Sequence, residues 1–366
     1  MRAALLEAPG QDMAVVDDID VDEVRPLQVR VRVTHCGVCH SDLHLLDGSI
    51  PCALPAILGH EAAGVVEEIG AGVTHLAPGD KVVLSARPFC GACYWCVRGE
   101  VQLCARATEL FTGMRADFTT GLSRAGQMVF IGVGLAAFGE IVVTQATGAV
   151  KVPDDTPLDV AAVIGCAIQT GVGAVVNTAK VEEGATVLIV GLGGIGVALA
   201  QGARLAGASK IIGVDPLPAR REQALAFGVT DTVDPTEVDL LAAGMDLTDG
   251  IGVDYAFEAV GRVELIEACF AALRNGGTAV AVGVPNIESV ISLPGIGFLS
   301  EKRLIGTLLG SANSMREIPR LLDLWRAGRL DLEGMVTARR PLADINLAFD
   351  DMKAGIGLRT VIEMPA

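Results

Sequence analysis

Over roughly the first 150 residues, apolar and polar positions alternate or fall into short β-branched runs. "QVRVRVTHCG" shows the clearest period of two, and "AAGVVEEIGAGV" and "KVVLSA" are shorter runs closed by Gly, Pro or Asp. This part reads as β-rich and irregular. From about residue 155 the texture changes: "TPLDVAAVIGCAIQTGVGAVV" predicts a helical connection with Pro157 near its start. "GATVLIVGLGGIGVALAQGARLAGASKIIGVD" then gives a buried strand, a Gly-rich turn, a small-residue helix and a second strand ending in Asp. "GVDYAFEAVG", "GGTAVAVGVP" and "EKRLIGTLLG" add strand-like runs, with helical patterns such as "VELIEACFAAL" between them. Strands alternating with helices imply a parallel, doubly wound sheet, so the fold class is α/β. After about residue 310 come two helical patterns and a closing strand-like "LRTVIEM".

Composition narrows the classes. A chain of 366 residues, 51% hydrophobic and 20% charged, is globular and has room for about two domains. Its 28 basic and 44 acidic residues leave a net charge of -16, which repels nucleic acid and anionic membrane surfaces. "MRAALLEAPG" is too short for a signal h-region, and the longest apolar stretch is cut by glycines before it reaches a membrane span. The expectation is a cytoplasmic protein with no nucleic-acid or membrane partner.

"GLGGIG" places Gly191, Gly193 and Gly196 in G-x-G-x-x-G, with Gly194 and Ile195 between them, directly after a strand and before a helix. Here the first Gly serves a tight turn, the second a close approach of backbone to pyrophosphate, and the third helix–strand packing. Asp215 closes the next strand, where a carboxylate accepts hydrogen bonds from an adenosine ribose and repels a 2′-phosphate. NAD is therefore expected over NADP, with Arg220 nearby as the residue that tempers this preference. FAD is the other ligand class for such a turn.

Nine cysteines in a large chain argue against a disulfide framework and for metal ligation. "CGACYWCVRGEVQLC" gives Cys90, Cys93, Cys96 and Cys104 in the spacing C-x2-C-x2-C-x7-C. Four thiolates in one short loop suit a closed, structural tetrahedral Zn2+ site. An iron–sulfur cluster also takes four cysteines and is not excluded by the spacing. "HCGVCHSDLH" concentrates further candidates: two cysteines, three histidines and an aspartate. A redox reading of its CGVC lacks the thioredoxin-like unit such a pair belongs to. A second metal site is the better reading, with more ligands available from "LGHEAAG" and "IGCAIQTG".

The motifs "GVCHSDLH", "GHEAAGVVEEIG", the four-cysteine loop, "IGC…TG" and "GLGGIG…D" stand in the order seen in zinc-dependent alcohol dehydrogenases of the medium-chain superfamily, and the chain resembles that family from end to end. The resemblance implies a GroES-like catalytic domain (residues 1–160 and 305–366) and a Rossmann NAD-binding domain (161–304). Two Zn2+ ions per chain are implied, one catalytic and one structural. The catalytic ligands would be Cys39, His60 and Cys166, with Glu61 as an alternative ligand behind the metal and Asp42 orienting the His60 ring. Cys36 would be a small buried residue.

Ser41 and His44 match the family's proton path: zinc acts as Lewis acid, Ser41 takes the hydroxyl proton and passes it through the cofactor ribose to His44, and hydride goes to the nicotinamide. Thr170, Ile195, Val282 and Val284 fall where the family lines the nicotinamide. His40 and Arg359 fall where cations meet the pyrophosphate, and His40 in place of the common arginine implies weaker NAD binding. His35 and His75 match no role.

Ala86 stands where several family members place a large aromatic, which implies room near the zinc for a bulky primary alcohol, aryl or terpenoid. Rival readings are a glutathione-dependent formaldehyde dehydrogenase and, from another class, a non-catalytic zinc- and nucleotide-binding protein. A polyol dehydrogenase would carry an acid at Cys166, and a zinc-free quinone reductase would lack the ligand set. The resemblance also implies a homodimer or homotetramer, with "GGTAVAVGVP" and "SVISLPGIGF" supplying edge strands across a two-fold.

Overall fold

The computed structural model describes residues 1–365. The chain divides into two compact units, Met1–Cys166 with Asn313–Ala366, and Ala167–Ala312. The boundaries lie several residues beyond those expected from sequence. Strand Arg303–Gly306 and the turn after it complete the sheet of the second unit, so the passage back to the first comes only at 312/313.

The first unit is built on a sheet ordered Ala149–Lys151, Lys81–Leu84, Glu61–Ile69, Gln28–Gly37, Arg359–Glu363, Val336–Pro341, with Ile141–Gln145 also pairing to Gln28–Gly37. The alternation in Gln28–Gly37 works as written: Val29, Val31 and Val33 are buried, while Arg32 on the opposite face is half exposed. This strand sets the register of the site. Gly37 pairs with Glu61 on one side and with Val361 on the other, so the chain around residues 38, 60 and 359 converges at one end of the sheet. The C-terminal tail is held by the same core: Phe349, in helix Ile345–Lys353, meets Phe138 edge to face at 6.0 Å.

The second unit contains strands β1 (Thr186–Val190), β2 (Lys210–Val214), β3 (Asp231–Val233), β4 (Val253–Glu258), β5 (Leu273–Ala281) and β6 (Arg303–Gly306). They form an all-parallel sheet in the order β3-β2-β1-β4-β5-β6. This is the doubly wound arrangement, with its topological switch between β1 and β4. Val187, Leu188, Ile189 and Val190 are all buried, as a strand covered on both faces requires.

Two local expectations need correction. "GGTAVAVGVP" does not supply an edge: β5 is paired on both sides, by β4 and β6. "SVISLPGIGF" forms no strand, and its Val290 and Ile296 are largely exposed, so the free edge on that side is the short β6. The helical connection after Pro157 is not continuous either. It runs as α-helix Leu158–Ala161 and a 3-10 turn Ala162–Gly165, breaks at Cys166 (φ -135, ψ -70), and resumes as α-helix Ala167–Gly173 and a π-helical stretch Ala174–Ala179. Among the described residues, no single helix is long and apolar enough to cross a membrane.

Candidate active site

The sheet end described above gathers one cluster. The donor atoms of Cys39, His60, Glu61 and Cys166 lie within 4.8 Å of one another, and all four residues are buried. Cys39 is the residue before helix His40–Leu46, Glu61 opens a strand, and Cys166 occupies the helix break. Gly59 lets the chain turn into His60: its φ is +93, and a Cβ there would sit 2.6 Å from the Phe138 backbone nitrogen. Gly37 leaves room for the Glu61 carboxylate, which a Cβ would approach to 2.5 Å.

Asp42 anchors the imidazole. One of its oxygens accepts the Gly59 N–H at 2.8 Å, and its two oxygens stand 3.2 and 3.1 Å from His60 Nδ1. With Nδ1 donating to that carboxylate, His60 Nε2 keeps its lone pair, is buried and has no hydrogen-bond partner. Both Glu61 oxygens also lack a hydrogen-bond donor. An unpartnered imidazole nitrogen and a carboxylate met only by the Arg359 ion pair, beside two thiols, are costly as a mere core and well suited to a divalent cation.

Burial alone would lower the pKa of the His60 ring, but Asp42 and Cys39 outweigh it and raise it well above its usual value, so a proton competes for the place a cation would take at Nε2. Donation from Cys166, together with Arg359 and His60, holds the Cys39 thiol well below its usual value despite burial. Burial pushes the Glu61 carboxyl up to about 8 against the pull of Arg359. Arg359 faces this cluster directly, with Nη2 3.3 Å from Glu61 Oε1 and Nη1 donating to the Val38 carbonyl at 3.0 Å. Its side chain is 4% exposed, and it bears on the Cys39 thiol as well as on Glu61 and Val38. His40, which sequence grouped with Arg359, is exposed at the first turn of its helix.

Ser41 Oγ lies 3.9 Å from Cys39 Sγ. His44, one helical turn on, is half buried, and its Nδ1 stands 3.0 Å from Ser49 Oγ. Ser49 was not singled out from sequence. It also approaches the His44 carbonyl at 3.3 Å, and a hydroxyl that donates there accepts from Nδ1–H, leaving His44 Nε2 as the free acceptor. Ala86 is 2% exposed and faces the Gly132–Gly134 turn, where a Cβ on Gly134 would stand 3.3 Å from the Ala86 methyl.

The second cluster is Cys90, Cys93, Cys96 and Cys104. Its sulfurs lie 3.5 Å (Cys93–Cys96), 3.9 Å (Cys93–Cys104) and 4.0 Å (Cys90–Cys96) apart. Four thiolates at about 2.3 Å from a tetrahedral zinc are about 3.8 Å apart, so the site is already shaped for the ion. Backbone N–H groups from Cys96 and Ala105 bring the Cys93 thiol down to about 6, whereas burial leads in pushing Cys96 up to about 12.

In the second unit, Gly191 has φ +92, and a Cβ on Gly196 would stand 1.9 Å from the Gly191 carbonyl oxygen. The same test at Gly193 meets nothing within 4 Å, which leaves an open approach beside the N-terminus of helix Gly194–Ala206. Asp215 accepts the Leu192 and Leu217 N–H groups at 2.9 Å each, and Arg220 Nη1 stands 3.7 Å from it. Thr170 is buried, Ile195 and Val282 are half buried, and Val284 is 48% exposed.

Cys36, His35 and His75 stay outside these clusters. Cys36 is fully buried with its thiol directed at the Gly37 carbonyl, His35 Nδ1 lies 3.0 Å from Thr34 Oγ1, and His75 Nε2 lies 3.2 Å from the Ala146 carbonyl.

Residues 25–154 match the alcohol dehydrogenase GroES-like domain, and residues 194–325 match the zinc-binding dehydrogenase domain. The chain is 37% identical to alcohol dehydrogenase 3 of Hordeum vulgare (98% of this chain, 96% of the relative) and 38% identical to alcohol dehydrogenase 2 of Solanum tuberosum (99% and 97%). Benzyl alcohol dehydrogenase from Acinetobacter calcoaceticus superposes with a TM-score of 0.94 at 31% identity, covering 100% of this chain and 99% of that one. On these matches the chain belongs to the zinc-dependent alcohol dehydrogenases of the medium-chain superfamily.

Proposed function

We propose that this alcohol dehydrogenase is NAD-linked and acts on bulky primary alcohols, aryl or terpenoid, converting them to aldehydes and back. The observation that carries the chemistry is the buried set Cys39, His60 and Cys166 with His60 Nε2 unpartnered and Glu61 behind it. Zinc held there would supply Lewis acidity toward an alcohol oxygen, and a nicotinamide would accept the hydride. Ser41, which lies beside Cys39, would accept the hydroxyl proton and pass it through the cofactor ribose to His44, which Ser49 contacts and which would release it toward solvent. Cys90, Cys93, Cys96 and Cys104 would hold a second, structural zinc. Gly191, Gly193, Gly194 and Gly196 would cradle the pyrophosphate, and Asp215 would take the adenosine ribose hydroxyls of NAD.

Two observations support the bulky substrate. Ala86 presents only a methyl where the family resemblance puts a large aromatic, although it is buried against the Gly132–Gly134 turn, and the chain is similar to an enzyme named for benzyl alcohol. The test is NADH absorbance with NAD and benzyl alcohol, geraniol, ethanol, or formaldehyde with glutathione. Turnover of the first two above ethanol is the expected result. Turnover of the formaldehyde–glutathione adduct alone would overturn the substrate reading in favour of a glutathione-dependent formaldehyde dehydrogenase.

A further inference from the structure

Arg87 follows Ala86 and precedes the first cysteine of the loop by three residues, yet its side chain turns inward and the residue is 5% exposed. It spends three donors on three backbone carbonyls: Nε on Gln102 at 3.0 Å, Nη1 on Ala107 at 2.5 Å and Nη2 on Cys104 at 3.2 Å. The Phe111 ring lies 5.3 Å from the guanidinium carbon, within cation–π range. A buried arginine is costly unless its fork is used, and here the fork closes on the chain on both sides of Cys104.

Cys104 is the ligand that needs such help. Cys90, Cys93 and Cys96 are set by short spacers and the helical turn Tyr94–Val97. Cys104 arrives only after the 3-10 turn Val101–Leu103, and fixing that longer segment costs more conformational entropy. Its sulfur accepts the Cys90 N–H at 3.3 Å, so a shift of Cys104 disturbs the whole set. Charge points the same way, because four thiolates around a divalent ion carry a net negative charge. Arg98, also in the loop, is half exposed and stands against Glu100, whereas Arg87 is buried against the cluster. Glu109, buried close by with one oxygen lacking a hydrogen-bond partner, offsets part of the Arg87 charge without closing an ion pair on it.

We propose that Arg87 is a positioning residue for the four-cysteine metal site: by holding the carbonyls of Gln102, Cys104 and Ala107 it keeps Cys104 in ligating position and offsets the thiolate charge. The proposal rests on the reading of this cluster as a zinc site. Its test is metal release from the intact, zinc-loaded protein into excess chelator, with alkylation of each cysteine followed by mass spectrometry. In Arg87→Met, Cys90, Cys93, Cys96 and Cys104 should become alkylated about 10- to 100-fold faster than in the wild type, while Cys39 and Cys166 keep the wild-type rate. Arg87→Lys keeps the charge but not the fork, and should still release metal severalfold faster. Equal rates in Arg87→Met and wild type would overturn the proposal, as would equal acceleration at both clusters, which marks general unfolding. Should Arg87→Met fail to fold, Arg87→Lys carries the test, and a wild-type rate there overturns it. A wild-type protein holding no metal on these four cysteines would instead contradict the underlying zinc reading.

Discussion

Arg359 Nη2 stands 3.3 Å from Glu61 Oε1, and neither side chain is more than 4% exposed. Burial pushes the Glu61 carboxyl up to about 8 even beside Arg359, so without the guanidinium it can take a proton instead of staying an uncompensated ion. Arg359→Leu should therefore destabilise the fold by about 1–3 kcal/mol, through the charged hydrogen bond lost at the Val38 carbonyl, and lower zinc retention at Cys39, His60 and Cys166. Urea denaturation and metal analysis of the variant check both effects. Wild-type stability would show that these Arg359 contacts contribute nothing.

Asp42 fixes which nitrogen of His60 is free. Asp42→Asn keeps the size but removes the charge, and should cost about 10- to 100-fold in zinc affinity or in kcat/KM. Competition against a chelator of known affinity reads the first, and steady-state kinetics the second. A variant that binds zinc as tightly as the wild type would remove Asp42 from the account.

Asp215 already accepts two backbone N–H groups, and in the proposed reading it also takes the ribose hydroxyls. Asp215→Ser should lower kcat/KM with NAD by about 10- to 100-fold and leave NADP less disfavoured, with Arg220 free to meet a 2′-phosphate. Parallel kinetics with the two cofactors check it. Unchanged selectivity would move the discriminating group elsewhere.

Ala86 lies against Gly134, whose φ is +85. Ala86→Phe should therefore strain that turn and, in the proposed reading, narrow the substrate pocket. The expected outcome is at least a tenfold fall in kcat/KM for benzyl alcohol and geraniol, a smaller change for ethanol, and a stability loss of about 1–3 kcal/mol. Equal losses on all three alcohols would remove Ala86 as a determinant of substrate size.

The parts legible in the sequence were those in which local pattern and chemistry coincide. The valines of Gln28–Gly37, the buried run of β1 and the turn at Gly191 are each specified within a few residues, and the four-cysteine loop carries its ligands on one short segment. The cluster of Cys39, His60, Glu61 and Cys166 was reached through family resemblance, because its members meet only through the register of three strands and a helix break.

What stayed hidden depends on contacts between distant segments. Nothing near Arg359 in the chain announces Glu61, and nothing near Arg87 announces the carbonyls of Gln102 and Ala107. Ser49 carried a weak signal, five residues after His44 in a Gly-containing turn. The misplaced edge strand has a similar origin. "GGTAVAVGVP" reads as a buried strand equally well at an edge or inside the sheet, and only β6 beyond it decides.

The central claim, that the buried Cys39, His60, Cys166 cluster performs NAD-linked alcohol oxidation as a zinc site, is tested most directly by NADH formation from NAD and benzyl alcohol before and after zinc is stripped and restored. The account predicts turnover by the loaded protein, loss of that turnover when Cys39 and Cys166 become alkylatable, and recovery on adding one zinc back to that cluster. Undiminished NADH formation with those two cysteines free of metal would contradict it.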